Sequence, residues 1–456
     1  MSRVRCPGVP RRRMAGLSLI EMMIALVMAL IVAAGIISVF ASTSSSNKVQ
    51  AQMATLQEAG RFAIQSLRSD LANANGGYCS NSGGTASSTG SGIFLDGLRS
   101  PTIYAKNFTT INDAFADNTT PLVAPASPEA FSLPSRMFMH GYDCGTSSST
   151  CKPVDPSTVT GVTIPAMGAA VGNRVPGTDV LTVRYLKPGS GWAISATGST
   201  IDAASDGTVN SITLNPLPGE ASSTGFPAGN GLAMLADCSG AQVFTVNDSG
   251  GKLTPNDNYS SPSDISKGAA PRIFDFSTDF QTVTYYLKVV CANGSTPCTG
   301  TTTGELERRV NGVDQPLVRG VERLDFRYGV IDGSGLTRFL TANEVDTATD
   351  ADGNPLACHL MPDGTSDVAV PGGMTDTGCL WRAVQTIEVH ILMDGQTPLY
   401  TLTPAEMNYI YTPDGDTSPQ PPTKSGRGAQ PVAQGFPNQL LRREFTTVVA
   451  LRNFNP

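Results

Sequence analysis

Leu17-Ser18-Leu19-Ile20-Glu21 opens an apolar run that continues to about Ala41. Roughly 25 residues of this kind, taken as helix, span a hydrocarbon core about 30 Å thick. One carboxylate, Glu21, stands near the start of the run. An ionisable group at mid-bilayer costs on the order of 2.5–3.5 kcal/mol, so its presence there points to function. Arg3, Arg5, Arg11, Arg12 and Arg13 precede the run, and no acid accompanies them. The positive-inside rule therefore keeps residues 1–16 cytoplasmic and sends the rest outward. A secretory signal has a shorter apolar region with a small-residue cleavage site after it. Here the small residue, Gly16, comes before the run, and a cut at Gly16–Leu17 removes the charges while leaving the span attached.

The helical pattern continues past the span. Val49, Met53, Leu56, Gly60, Ala63, Leu67 and Leu71 recur at steps of three and four, and Gln50, Gln57, Arg61, Gln65 and Arg68 fill the other surface. That is one face of an amphipathic helix, with Gly76-Gly77 as the expected stop. The whole helix would hold about 55 residues and measure about 80 Å at 1.5 Å per residue. This reading divides the chain into a leader at 1–16, a membrane-spanning helix at 17–41, an amphipathic continuation at 42–76 and a globular body at 77–456.

Within the body the period changes to two. Leu181/Val183/Tyr185, Val283/Tyr285/Leu287/Val289, Leu324/Phe326/Tyr328, Ile387/Val389/Ile391 and Phe445/Thr447/Val449/Leu451 alternate with polar residues, and 231–246 reads as two strands around Cys238. Each is expected as a half-buried strand of an antiparallel sheet. Polar stretches at 80–92, 147–160, 195–210, 247–267 and 412–434 read as long loops. The expected class is α+β, with helix concentrated at the N-terminus. Once residues 1–16 are set aside, 26 Lys and Arg face 38 Asp and Glu, a charge of −12. That argues against general electrostatic affinity for nucleic acid and leaves room only for a local basic patch.

Nine cysteines are present. Without Cys6, in the leader, an even set remains, as suits an exported body with disulfides. Cys144/Cys151 and Cys291/Cys298 share one spacing around turn residues and are expected as local staples. Cys358/Cys379 would close a loop of about twenty residues, leaving Cys79 and Cys238. Eight cysteines allow many other connectivities. Zinc is the rival, but no C-x2-C occurs. Asp350-Ala351-Asp352-Gly353-Asn354, with Asp346 upstream, resembles part of a calcium loop. The further bidentate carboxylate such a loop needs is missing, so Asp350 and Asp352 are a weak calcium candidate and no metal site is assigned. The histidines are His140, His359 and His390; His390 falls on the polar face of its strand beside Glu388 and reads as a surface residue. No catalytic motif and no cofactor-binding motif is present, so no catalytic residue and no cofactor are expected.

Gly16, Leu17 and Glu21 together resemble the class III signal of type IV prepilins, with Gly before the cut and Glu fifth in the mature chain. The usual first mature residue is Phe, and Leu17 departs from that. The resemblance implies cleavage after Gly16 by a prepilin peptidase, methylation of the new amine, and pairing of Glu21 with the amine of a neighbouring subunit. A second likeness is narrower. Leu56-Gln57-Glu58-Ala59-Gly60-Arg61-Phe62-Ala63, Asp70-Leu71, Gly77-Tyr78-Cys79, Leu235–Phe244, Val318–Val330 and Arg443–Asn453 resemble blocks of PilW-type minor pilins. This implies a type IV pilin-like fold, with one long N-terminal helix packed on an antiparallel body. It also implies a non-enzymatic role in pilus biogenesis, adhesion or twitching motility. Implied partners are other minor and major pilins, the prepilin peptidase, the inner-membrane assembly platform and a tip adhesin. The alternatives are a J-type pseudopilin of type II secretion, and a membrane-anchored extracellular binding module or enzyme with a pilin-like leader.

Overall fold

In the computed structural model the apolar run and its continuation form one helix, α1, Leu19–Leu71. The structure describes residues 18–76, 78, 102–103, 131–132, 139–146, 150–158, 164–205, 208–222, 226, 231–236, 241–256, 271–358 and 378–452. The chain forms two compact units, Met1–Ala54 and Thr55–Pro456. In the first, the apolar side chains of α1 from Leu19 to Phe40 are exposed on every side, while Val49 and Met53 are half-buried. In the second, Leu56, Gly60, Ala63, Leu67, Asp70 and Leu71 are buried, the spacing of a single helix face. The helix stops at Leu71, before the expected glycines. A tight turn follows, closed by Asn73 N–H to the Asp70 carbonyl at 2.9 Å. Asn75 takes the left-handed conformation at φ 61°, which asparagine tolerates better than most residues. Its N–H donates to the Arg184 carbonyl at 3.1 Å. Docking of the turn on a strand therefore sets the stop, with Asn75 supplying the left-handed residue.

The strands follow in chain order. β1 (Thr102–Ile103), β2 (Phe131–Ser132), β3 (Met139–Tyr142) and β4 (Val180–Leu186) come first. Then come β5 (Trp192–Ala193), β6 (Thr200–Ala203), β7 (Val209–Thr213) and β8 (Gly231–Ala236). β9 (Ala241–Ser249), β10 (Lys252–Pro255), β11 (Arg272–Asp275) and a short helix α2 (Phe276–Asp279) lead into β12 (Phe280–Cys291). β13 (Thr302–Val310), β14 (Val313–Arg319), β15 (Val321–Ile331), β16 (Thr337–Leu340), helix α3 (Ala342–Thr347), β17 (Val384–Asp394) and β18 (Arg442–Ala450) complete the body.

Three sheets result, ordered β14-β13-β12-β4-β3, β16-β15-β17-β18 and β5-β11-β8-β9-β10-β7-β6. All described pairings between strands are antiparallel except β1 with β9. β4 and β12 are direct neighbours, with Leu186 opposite Phe280. The chain between them, 187–279, builds most of the third sheet, so that sheet is an excursion from one pair of strands. It has its own apolar clusters, one around Met234, Val243 and Phe274 and another around Trp192, Phe244 and Leu253.

The main core gathers the alternating residues of the other two sheets against the 56–71 face of α1, with Trp381 among them. The expected alternation is present, and β18 is half-buried as expected, with Thr446, Val448 and Ala450 exposed, but β4 is buried on both faces. All seven residues of β4 are buried, including Thr182 and Arg184. Their polar groups pair across the sheet: the Thr182 and Thr284 hydroxyls lie 2.8 Å apart, and Arg184 Nε donates to the Thr282 hydroxyl at 3.2 Å. The expected loops at 195–210 and 247–267 contain β6 and β10. The stretch 412–434 is a packed segment whose Asp416, Arg427 and Gln434 are buried.

Candidate functional site

Residues 1–16, the proposed cut at Gly16 and its successor Leu17 lie outside the described residues. Description begins at Ser18, whose backbone N–H donates to Glu21 Oε2 at 3.1 Å. Ser18 precedes the first helical residue and Glu21 is the third, the spacing in which a carboxylate reaches back to the cap residue's N–H. Ser-x-x-Glu is thus a helix-start signal written inside the Leu17–Glu21 stretch, and it escaped the sequence reading. Behind Glu21, the most apolar 18-residue window of α1 has a mean hydropathy of 2.8 and none of it is buried. By length and composition this half of the helix can cross a membrane. An apolar surface of this extent on a soluble protein marks a site of association or lipid contact.

The other acid near an end of α1 has different company. Asp70 is buried in the last helical turn. Its Oδ1 accepts from the Tyr185 hydroxyl at 2.8 Å and from Arg308 Nη2 at 3.1 Å. Its Oδ2 accepts from the Tyr285 hydroxyl at 2.6 Å and from Arg308 Nε at 2.6 Å. The three partners stand on adjacent strands, β4, β12 and β13, where Arg308 lies opposite Tyr285 and Tyr285 opposite Leu181. Burial, and after it the charge of Asp70, raises both phenols above their ordinary range. Ten residues earlier, Gly60 faces β18: a Cβ there would sit 2.6 Å from the Phe445 ring. Beyond the helix, Arg452 N–H reaches the Ala72 carbonyl at 3.3 Å. The segment 55–71 is therefore latched to both sheets of the main core.

Three of the expected disulfides are present, Cys144–Cys151, Cys291–Cys298 and Cys358–Cys379. Cys79, Cys238 and His359 lie outside the described residues.

The family model of PilW, type IV pilus-assembly protein W, matches residues 284–453. These residues are of the PilW family. Neither the curated proteins nor the solved structures show a match to the chain. The PilW segment begins inside β12 and ends just after β18, so it supplies two of the three partners of Asp70, Tyr285 and Arg308, and the Phe445 ring over Gly60. The blocks at 318–330 and 443–453 fall within it; those at 56–79 and 235–244 fall outside.

Within the PilW segment the remaining candidates resolve into structural hydrogen-bond sets. His390 is buried, which corrects the surface reading. Its Nδ1 lies 2.9 Å from Glu444 Oε1 and 3.1 Å from the Thr412 hydroxyl. Its Nε2 faces Glu388 Oε1 at 3.4 Å, and Glu444 Oε2 in turn accepts from the Thr412 N–H at 3.0 Å, so the ring ties β17 to β18 and to the 412 turn. Asp350 closes its own turn, both oxygens taken by Asn354 Nδ2 and one also by the Asn354 N–H at 2.8 Å. Among the described residues no group of three or more His, Cys, Asp or Glu side chains is placed to hold a metal ion. Arg442 forks onto Glu322 at 2.6 and 2.9 Å, both fully buried. Close by, burial and then the Glu322 charge push Asp394 up to about 7. Upstream of the segment, His140 Nε2 meets Asp346 Oδ1 at 3.1 Å beneath Trp381.

Proposed function

We propose that the chain is a minor pilin, incorporated in type IV pili or priming their assembly. A prepilin peptidase cuts after Gly16, and residues from Leu17 hold the chain in the inner membrane with its body in the periplasm. On assembly, Glu21 neutralises the new amine of a neighbouring subunit. Each of these charges is costly alone in lipid and tolerable as a pair. The apolar half of α1 then exchanges lipid for the helices of other minor and major pilins, and staggered repetition builds an open fibre. The assembly platform and a tip adhesin are the further partners. The proposed role is in pilus biogenesis, adhesion or twitching motility, and no catalytic step enters it.

The observation that carries this reading is a fully exposed apolar helix, with a single carboxylate at its start, on a chain whose 284–453 segment is PilW. The test is to shear pili from the native host and probe them for the chain, alongside a deletion strain. The chain is expected in the pilus fraction in small amount, and the deletion is expected to reduce piliation. Normal pili in the deletion strain, with the chain confined to membranes, would defeat the proposal.

A further inference from the structure

The sheet edges of the body are unequal. β5 has two residues and β6 has four with an irregular register. β3 and β16 have four residues each. β14 is longer, but carries Pro316 in its middle and pairs with a register shift. Proteins blunt edges in these ways because an open edge recruits other strands. β18 is the exception: nine residues, no proline, and an unbroken register against β17. From Phe445 to Ala450 it reads Phe-Thr-Thr-Val-Val-Ala, without charge and mostly β-branched. Among the described residues β17 is its one strand neighbour. Val448 is 52% exposed.

The hydrogen-bond parity of this edge can be read off its ends. Leu451 N–H donates to the Gln385 carbonyl at 2.8 Å, and Gly395 N–H to the Leu441 carbonyl at 3.0 Å. In an antiparallel pair the bonded positions alternate. The odd-numbered residues of β18 therefore face β17, and the N–H and C=O groups of Glu444, Thr446, Val448 and Ala450 face outward. We infer that this edge takes an extended, uncharged strand from a neighbouring pilin-like subunit, extending the four-stranded sheet across the contact. A second copy of this chain counts as such a subunit. The inference rests on the assembly proposed above. Its occupant follows from position: β18 is the strand that lies on α1 through Phe445 and Gly60. Two residues along, Phe62 is 49% exposed. A subunit packed against this stretch of α1 meets β18.

The test uses the full chain in the native host, with a benzophenone amino acid in place of Thr446 and adducts identified by mass spectrometry. The expected result is a light-dependent adduct with a subunit carrying a pilin-type apolar helix. Val448→Pro removes an outward donor, at an edge position where proline is tolerated. It should lower the adduct about tenfold, the equivalent of one or two net hydrogen bonds, whereas Val448→Thr should keep it. Val448→Lys tests the same edge by charge and keeps every backbone donor; it too should lower the adduct. Absence of the adduct, adducts only with unrelated proteins, or adducts unchanged by both Pro and Lys would overturn the inference. Both variants entering pili like the wild type, while Glu21→Val does not, would overturn it and leave the minor-pilin reading standing. An uncleaved leader would instead overturn that reading.

Discussion

The two halves of α1 carry one acid each near an end of the helix, and the two are handled in opposite ways. Asp70 is buried and receives four hydrogen bonds from three strand residues. Glu21 takes the N–H of Ser18 and stands at the head of a wholly exposed apolar stretch. The glycines repeat the contrast. Gly60 is pressed against Phe445, whereas nothing lies within 4 Å of a Cβ added at Gly35. The lesson is that residues 55–71 are finished by the chain's own fold, while residues 19–40 are built for surroundings that other molecules provide.

That contrast is open to attack, and the largest effect is expected at Glu21. Glu21→Val should leave thermal unfolding of the detergent-solubilised chain unchanged. It should cut recovery of the chain in sheared pili about tenfold or more, the effect of removing a charge pair worth a few kcal/mol in lipid. Equal loss from both fractions would mean that Glu21 supports folding instead. Asp70→Ala should do the reverse, destabilising the body by about 3 kcal/mol as a buried ion pair loses one member, read as a lower denaturant midpoint. Next come the glycines. Gly60→Ala should cost about 1–3 kcal/mol through overpacking against Phe445, even though alanine favours helix by about 1 kcal/mol; Gly35→Ala should cost the body nothing. Similar losses at the two glycines would erase the distinction between the halves.

The smallest effect is expected at the phenols. Tyr185→Phe or Tyr285→Phe should each cost about 1 kcal/mol near neutral pH. Both phenols are raised above the ordinary 10.0 by burial and by Asp70. In alkali the unfolded chain therefore releases these protons before the folded chain does, and stability falls as pH rises past about 10. Replacing the two tyrosines should flatten that fall in unfolding curves taken from pH 9 to 11, as estimated from their ordinary titration range.

Much of this was legible in the residues. The step-three-and-four pattern of Leu56, Gly60, Ala63, Leu67 and Leu71 gave the buried face, and the alternation Leu181/Val183/Tyr185 gave a core strand. Equal spacing gave the Cys144/Cys151 and Cys291/Cys298 staples. Alternation misleads about the second face of the inner strands β4 and β17, though not of β18. Thr182, Arg184 and His390 look solvent-facing by alternation, yet they are buried. For His390 the cover includes Thr412, from a stretch with no periodic signal. Nor could Asp70 be assigned its role. Its partners lie 115, 215 and 238 positions away, and only the fold brings them to one carboxylate. The helix end is hard to read because Gly76-Gly77 is the stronger local signal, while docking of Asn75 on β4 acts earlier in the chain.

In the proposed assembly, Glu21 pairs with an amine that does not exist until the leader is removed. Mass spectrometry of the mature N-terminus, on protein from the native host, tests it most directly. The expected result is a chain beginning at Leu17 with a methylated amine. An intact leader, or a cut beyond the apolar run, would contradict it.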